Sequence, residues 1–178
     1  MTLKILKNIA LVISSLIFLS GCNAMKSVSK SLGYHEVYTE IMIEAEPAEV
    51  WSVITDAENY KNWNPVIINA VGTYEVGSRI TNTVVEAKDK QATIKSKVIK
   101  FDPPYHLNQF GGYTGIITFD HHYELQKVDG GTMVIQREEY TGFYMNFWDA
   151  SWVEPAYKRV NEALRKEVLR RKSQKQSL

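Results

Sequence analysis

Six runs rich in β-branched and aromatic residues follow one another between residues 67 and 143, and they constrain the fold more than any other feature. The runs cover residues 67–72, 79–86, 91–101, 105–110, 115–127 and 132–143. The breaks between them contain turn-forming residues, namely Gly77, Asp89, Pro103-Pro104, Gly111-Gly112 and Gly130-Gly131. Parallel strands need a crossover of about a dozen residues or more, and these breaks are shorter. The sequence therefore predicts an antiparallel meander.

One strand and two short helices are predicted before this meander. Residues 40–45 alternate in the manner of a strand. Residues 47–54 begin with Pro47 and place Val50, Trp51 and Ile54 on one face, which indicates a helix. A second short helix through residues 58–60 is expected to stop before Trp63-Asn64-Pro65, because the residue before a proline disfavours the helical conformation.

A long amphipathic helix is predicted at the end of the chain. Ser151 and Glu154 have capping-box spacing, and Pro155 fits a first turn. The apolar positions then recur at three- and four-residue steps, as Ala156, Val160, Ala163, Leu164 and Val168. This stripe has to pack on the sheet. Eight basic residues between Lys158 and Lys175 either complement the helix dipole or contact anionic lipid headgroups.

The N-terminal segment has the anatomy of a secretory signal. Lys4 and Lys7 precede an apolar run over residues 9–19, which is shorter than the roughly 20 residues of a membrane-spanning helix. Residues 19–22 (Leu-Ser-Gly-Cys) resemble the bacterial lipobox, which implies cleavage before Cys22 and acylation of that residue. A plain secretory signal or an uncleaved anchor is the alternative. Cys22 is the only cysteine, so it forms no internal disulfide.

These features predict a signal peptide over residues 1–21, an acylated Cys22 with a flexible tether over residues 22–36, one domain over residues 37–172 and a polar tail over residues 173–178. The protein is expected to be lipid-anchored and extracytoplasmic. Resemblance to lipoproteins of cells with two membranes implies that an aspartate after the cysteine retains them at the inner membrane. Asn23 stands there in this sequence, so we expect the periplasmic face of the outer membrane in such a cell. The formal net charge of +1 gives no indication of nucleic-acid binding. No cofactor is expected, and the protein partner stays undetermined.

A family resemblance is carried by several segments. Residues 48–51 (Ala-Glu-Val-Trp), Thr55-Asp56 and residues 60–65 (Tyr-Lys-Asn-Trp-Asn-Pro) resemble the opening of the helix-grip superfamily, which includes START lipid-transfer domains, polyketide cyclases and pollen-allergen-like binders. Residues 121–125 and 130–142 resemble its closing hairpin. The resemblance covers about residues 38–171. It implies an α+β fold in which a curved antiparallel sheet of six to seven strands surrounds the long C-terminal helix, with a ligand cavity between them.

Alternation along the strands sorts the candidate site residues. In residues 115–127 it groups Phe119, His121 and Tyr123 on the apolar side. In residues 132–143 it decides neither face, and the resemblance implies that Gln136, Glu138, Tyr140 and Gly142 face inward. The predicted ligand-binding residues are Trp63, Asn64, Tyr113, Phe119, His121, Tyr123, Glu138, Tyr140, Trp148 and Trp152.

Each candidate also has a structural interpretation. His121 orients a ligand or acts as a general base with Glu138, or it is a core histidine satisfied by a carboxylate. Trp63 and Asn64 wall the cavity, or they hold a loop. Tyr113 gates the cavity, or it belongs to a simple hairpin. The aromatic cluster that contains Trp148 and Trp152 is a core staple or a pocket mouth.

The favoured function is the binding of a hydrophobic or amphipathic small molecule that is lipid-, isoprenoid- or polyketide-like. One alternative is an enzyme of the cyclase, dehydratase or hydrolase type that uses His121 with Glu138 or Tyr140. Another is a protein-interaction module of the co-chaperone type. No metal site is expected, because His121 and His122 point to opposite faces of a strand and neither His35 nor His106 has ligand spacing.

Overall fold

Seven antiparallel strands form one curved sheet that packs against a long C-terminal helix. A computed structural model describes residues 27–86 and 90–177. The predicted signal peptide and the predicted acylation site, Cys22, lie outside these residues. The α+β architecture and the helix-grip arrangement expected from the sequence are confirmed.

The strands follow the chain across the sheet, except that the first lies beside the last. They are β1 (Tyr34–Ile43), β2 (Ile67–Val71), β3 (Arg79–Val85), β4 (Gln91–Asp102), β5 (His106–Tyr113), β6 (Ile117–Val128) and β7 (Gly131–Thr141). Their order is β1-β7-β6-β5-β4-β3-β2. The short breaks therefore produce the predicted meander from β2 to β7.

Four α-helices accompany the sheet within the described residues. They are α1 (residues 27–32), α2 (Pro47–Ile54), α3 (Tyr60–Trp63) and α4 (Val153–Gln176), with short 3-10 helices at Ala57–Asn59 and Phe143–Asn146. α2 begins at Pro47, as predicted. α3 includes Trp63, so it ends one residue later than the sequence predicted, and residues 57–59 form a 3-10 helix before it. Within the two described stretches of the chain, no helix has both the length and the apolarity needed to cross a bilayer.

The domain begins before residue 37. Ser29 Oγ hydrogen-bonds Thr141 Oγ1 over 2.8 Å, and Lys30 Nζ lies 2.8 Å from a carboxylate oxygen of Glu139. α1 thus packs against the end of β7, and β1 starts at Tyr34. The expected domain boundary falls inside β1, and residues 27–36 of the expected tether are helix, connection and strand.

Gly111 and Gly112 were expected to separate two strands, and this expectation is wrong. Both glycines lie inside β5, and the turn comes at residues 114–116. A Cβ atom on Gly111 would stand 2.3 Å from the ring of Phe119 and 2.5 Å from the carbonyl oxygen of Lys95. This glycine therefore allows close packing of an aromatic ring on the backbone rather than a change of direction.

The start of α4 also differs from the prediction. Trp152, not Ser151, is the N-cap residue, and no side chain caps the helix. The backbone amide of Ser151, two residues before the helix begins at Val153, instead donates to Asp149 Oδ1 over 3.0 Å. The predicted capping box is therefore not formed. Pro155 does lie in the first turn, where the missing amide costs little.

The core lies between the concave face of the sheet and the helices α2 and α4. Its largest cluster includes the fully buried residues Ile43, Val50, Ile54, Leu107 and Leu164. A smaller cluster of Val66, Val84, Ala156 and Val160 lies near the start of α4. Ala163 was expected on the buried stripe of α4 but is only partly buried, and the neighbouring Asn161 is 2 % exposed.

Candidate functional site

A partly enclosed cavity of about 110 Å³ lies between the concave face of the sheet and the first turns of α4. One part of its wall is apolar. It is formed by Val66, Ile67, Val84, Ile94, Val153 and Val160. The remaining wall carries polar groups from β3 to β7 and from α4, so a molecule in the cavity meets both environments.

A buried carboxylic acid is the central polar group. Glu138 on β7 is 5 % exposed, and its Oε2 accepts hydrogen bonds from the hydroxyls of Tyr140 and Tyr157. Burial raises the pKa of Glu138 to about 7, although both tyrosine hydrogen bonds lower it. Burial likewise raises the pKa of each tyrosine, so both stay protonated as donors. Glu138 therefore gains and loses its proton near neutral pH.

His121 stands beside this group on β6. It is the cross-strand partner of Glu138, and its ring meets the rings of Tyr123 and Tyr157 edge to face, with centroids 4.9 and 5.6 Å apart. Burial lowers the pKa of His121 to about 4, while Gln136 opposes this shift. The imidazole is therefore neutral at pH 7. Its accessible surface faces the cavity.

Buried amides tie the sheet to α4 next to the acid. Gln136 Nε2 donates to Asn161 Oδ1 over 2.5 Å, and Asn161 Nδ2 donates to Thr39 Oγ1 over 3.1 Å. The three side chains come from β7, α4 and β1, and all are buried. Because a broken bond here would leave a buried amide unsatisfied, this bridge holds α4 in one register on the sheet.

A buried acceptor lies in the wall opposite α4. Asn82 on β3 lines the cavity, and its Oδ1 has no hydrogen-bond partner among the described residues. Buried polar atoms are nearly always paired in folded proteins. A donor group on a molecule bound near β3 would satisfy this oxygen.

The structure brings six of the predicted site residues into the cavity wall. They are Phe119, His121, Tyr123, Glu138, Tyr140 and Trp152. Gln136, Glu138 and Tyr140 share the inward face of β7, as the family resemblance implied. Alternation alone had left this face undecided.

Trp63 and Asn64 do not line the cavity. Asn64 Oδ1 accepts from the backbone amides of Val66 and Ile67 over 2.9 and 2.8 Å, which shapes the turn into β2. The ring of Trp63 packs edge to face on Tyr60 with centroids 5.1 Å apart. Among the described residues, Trp63 Nε1 and Asn64 Nδ2 are buried without a hydrogen-bond partner. The loop-holding interpretation thus fits both residues better.

Tyr113 and Trp148 also lie outside the cavity wall. Tyr113 ends β5 and is 76 % exposed. Trp148 packs behind the wall, with its ring centroid 4.9 Å from that of Tyr140 and 6.2 Å from that of Trp152. Trp148 therefore supports two cavity residues without lining the cavity itself.

Tyr157 is the main site residue that the sequence analysis missed. It lies four residues before Asn161 on α4, so the two polar side chains share one helix face beside Val153 and Val160. This polar pair along the edge of the apolar stripe was the available signal. Only the fold shows that the pair meets Glu138 and Gln136.

Comparisons with known proteins agree with this architecture. The family described as polyketide cyclase / dehydrase and lipid transport matches residues 34–169. No curated protein matches the sequence significantly. The ZhuI aromatase/cyclase from Streptomyces sp. R1128 has a similar structure, with a TM-score of 0.65 and 16% identity, over 78% of this chain and 96% of that chain.

Two further solved structures are similar. Ginseng major latex-like protein 151 from Panax ginseng has a TM-score of 0.65 and 10% identity, over 76% of this chain and 98% of that chain. Ara h 8.0201 has a TM-score of 0.59 and 18% identity, over 77% of this chain and 99% of that chain. These likenesses show the helix-grip fold. Since the family match spans most of the sequence, the chain belongs to the polyketide cyclase/dehydrase and lipid transport family.

Proposed function

We propose that the protein is a lipid-anchored extracytoplasmic binding protein that holds a hydrophobic or amphipathic small molecule in the cavity. One observation carries the binding function: a buried acid, Glu138, and two tyrosines stand at one side of a cavity whose other wall is apolar. The family description, which names lipid transport and polyketide cyclisation, supports the same ligand class.

The polar wall favours a ligand with one hydroxyl or carbonyl group. A tyrosine hydroxyl that donates to Glu138 keeps acceptor capacity for a ligand hydroxyl. Protonated Glu138 can in turn donate to a carbonyl. The apolar residues Val66, Val84 and Val160 would then cover a hydrocarbon, isoprenoid or polyketide portion.

The size of the cavity limits what enters without a change of shape. Pockets for drug-sized ligands typically measure about 300–1,000 Å³. The 110 Å³ seen here suits a fragment of such a ligand. Binding of a complete lipid or polyketide therefore requires the walls to move apart.

The position of α1 supports an anchor at Cys22. Only residues 23–26 separate Cys22 from the first described residue, and this segment spans at most about 18 Å from one Cα atom to the other. α1 packs at the end of the sheet that holds the 3-10 helix Phe143–Asn146, where Asn146 Nδ2 donates to the carbonyl oxygen of Leu32 over 2.8 Å. An acylated Cys22 would place this end of the domain near the bilayer.

Exposed aromatic side chains occupy the same end of the domain. Phe143 and Phe147 are 57 % and 70 % exposed, and their rings pack on each other. Tyr144 and Tyr113 are exposed nearby, and the amide of Tyr144 donates to the carbonyl oxygen of Ile116 over 2.9 Å. Aromatic residues favour the interface between lipid and water. This surface is therefore suited to face the headgroups.

The ligand is tested with the chain from residue 22 onward carrying Cys22→Ser. Native mass spectrometry identifies any molecule that copurifies, and titration with 1-anilinonaphthalene-8-sulfonate measures binding by fluorescence. Val160→Phe inserts a ring into the cavity wall and is expected to abolish probe binding. Leu169→Phe adds a similar ring at a more exposed position on α4 and is expected to bind as the parent chain does.

Equal affinity of the probe for the parent chain and the Val160→Phe variant would place binding outside this cavity. Circular dichroism checks that both variants fold. If Val160→Phe does not fold, Val84→Phe fills the cavity from β3 and gives the same comparison.

The anchor is tested separately in cells. Replacement of Cys22 by Ser is expected to move the protein from the membrane fraction to the soluble fraction and to abolish incorporation of an alkynyl palmitate analogue. Incorporation that persists in the variant would refute acylation at Cys22. Sucrose-gradient separation of inner and outer membranes tests the expected outer-membrane location in a diderm cell.

A second candidate function is acid–base catalysis of the cyclase, dehydratase or hydrolase type. The specific observation in its favour is that Glu138 titrates near neutral pH within contact of Tyr140 and Tyr157. Once a copurifying ligand is identified, Glu138→Gln distinguishes the two functions. A binding protein keeps its ligand unchanged, whereas an enzyme of this kind converts it and the variant binds without turnover.

A further inference from the structure

Two histidines and two carboxylates meet on the face of the sheet opposite the cavity. His121 lines the cavity, so its neighbour His122 points to the other face of β6. In the antiparallel register, His106 on β5 is opposite Glu124 on β6, and Asn108 is opposite His122. The strands thus bring groups together that are 14 or more residues apart in the sequence.

The distances within this cluster are short. His106 Nε2 lies 2.9 Å from His122 Nδ1. One ring nitrogen of each histidine and one carboxylate oxygen of Glu124 all lie within 4.8 Å of one another. Two nitrogens bound to one tetrahedral Zn²⁺ at about 2.0–2.1 Å lie roughly 3.3 Å apart. Small rotations of the rings would therefore admit an ion between them.

A second carboxylate orients one of the histidines. Asp120 Oδ1 lies 3.2 Å from His122 Nε2, on the side of the ring away from His106. Asn108 Nδ2 lies 2.6 Å from the same oxygen and 3.1 Å from His122 Nε2, and it also donates to the carbonyl oxygen of His121 over 3.0 Å. In metal sites, a ligating histidine usually donates its other N–H to such a carboxylate.

From this geometry we propose that His106, His122 and Glu124 form a binding site for a divalent transition-metal ion. Two imidazoles and one carboxylate are ligands typical of Zn²⁺, whereas Mg²⁺ and Ca²⁺ prefer oxygen ligands. Three protein ligands leave a fourth position for water. The ion would link β5 to β6, and Asp120 would act as a positioning residue through His122.

A cation already neighbours one of the ligands. Arg137 Nη2 lies 3.7 Å from Glu124 Oε1, and Arg137 Nη1 lies 3.1 Å from Glu139 Oε1. When a metal ion binds, Glu124 would lose its long contact with Arg137 and ligate the ion instead. Arg137 would keep its contact with Glu139. Removal of the arginine charge should tighten metal binding.

The spacing of histidines along the chain gives no indication of this cluster. His106 and His122 have no helical or loop spacing that suits a metal. They become neighbours only through the pairing of β5 with β6, whose register the sequence does not determine.

The test uses the chain from residue 22 onward with Cys22→Ser, so that no thiol competes, and without a histidine tag. The protein is stripped with EDTA, dialysed and titrated with ZnCl₂ in a calorimeter, and one ion is expected to bind per chain. His106→Gln, His122→Gln and Glu124→Gln should each weaken binding at least 10-fold. Asp120→Asn should weaken it by about 10-fold or more. Arg137→Gln should strengthen it.

His35→Gln is the matched control, because His35 lies on β1 outside the cluster and its loss should leave the affinity unchanged. Absence of saturable binding, or an affinity in the His106→Gln and His122→Gln variants equal to that of the parent chain, would overturn the proposal. Titration with Co²⁺ of the chain that keeps His106, His122 and Glu124 is a second measurement. It does not depend on the folding of any ligand variant. Visible absorption bands of bound Co²⁺ are expected, and their absence at saturating metal would also overturn the site.

Discussion

Replacement of Glu138 by Gln should remove a pH dependence from the stability of the domain. In the native protein, burial raises the pKa of Glu138 from 4.5 to about 7. Between these values the native state holds a proton that the unfolded state has released, so stability falls as the pH rises. The difference of about 2.5 pKa units corresponds to about 3 kcal/mol, at about 1.36 kcal/mol for each unit. This loss of stability is absent below pH 4.5 and complete above pH 7.

The glutamine variant keeps a side-chain oxygen that accepts from Tyr140 and Tyr157 but carries no charge. Its free energy of unfolding, relative to the parent chain, should therefore rise by about 3 kcal/mol between pH 4.5 and pH 8. Urea unfolding followed by tryptophan fluorescence at half-unit pH steps measures this difference. Glu58→Gln, which removes a carboxylate at an exposed position, is the matched control. Parallel stability curves for the parent chain and Glu138→Gln across this range would refute the assignment of a protonated buried acid.

Three further substitutions test the contacts around the site. Tyr157→Phe removes one hydrogen bond to Glu138, so the pKa of this acid should rise further, as an NMR titration of its carboxyl carbon would measure. The free energy of unfolding should fall by about 1–3 kcal/mol. Asn161→Ala leaves buried amide groups without their partners and should cost about 1–3 kcal/mol in urea unfolding, whereas an unchanged midpoint would show that the bridge from α4 to the sheet is not formed. Gly111→Ala places a methyl group against the ring of Phe119 and should lower stability by about 1–3 kcal/mol, seen as a lower melting temperature; an unchanged melting temperature would contradict the close packing.

Much of the fold follows from local patterns in the sequence. Pro47 and the apolar face behind it predict α2 at its observed bounds, and the β-branched runs predict all six later strands to within a few residues. Short turn sequences then require an antiparallel meander. The errors arise where tertiary packing decides. Gly111 lies in a strand because Phe119 packs on its backbone, and Ser151 does not cap α4 because its amide bonds Asp149 before the helix begins.

The candidate site was harder to predict, because its parts come from strands and a helix that are distant in the chain. Alternation placed Phe119, His121 and Tyr123 on the cavity face of β6. Alternation did not identify the inward face of β7, because the polar residues Gln136 and Glu138 occupy the buried face there. A buried polar group is recognisable only when its partners are known, and Tyr157 and Asn161 reach these residues from the other side of the fold.

The amide bridge between the sheet and α4 divides the helix into two parts with different surroundings. Beyond Asn161, Leu164 sits in the main core, and Arg171 pairs with Asp56 over 2.9 Å. Before it, the first two turns form one wall of the cavity, where Tyr157 bonds Glu138 and Ala156 packs in the smaller core cluster. A guest larger than the resting volume would have to displace these turns from the sheet, since the far half of the helix is fixed in the main core. We therefore expect the entry of a large guest to be limited by the breaking of these contacts.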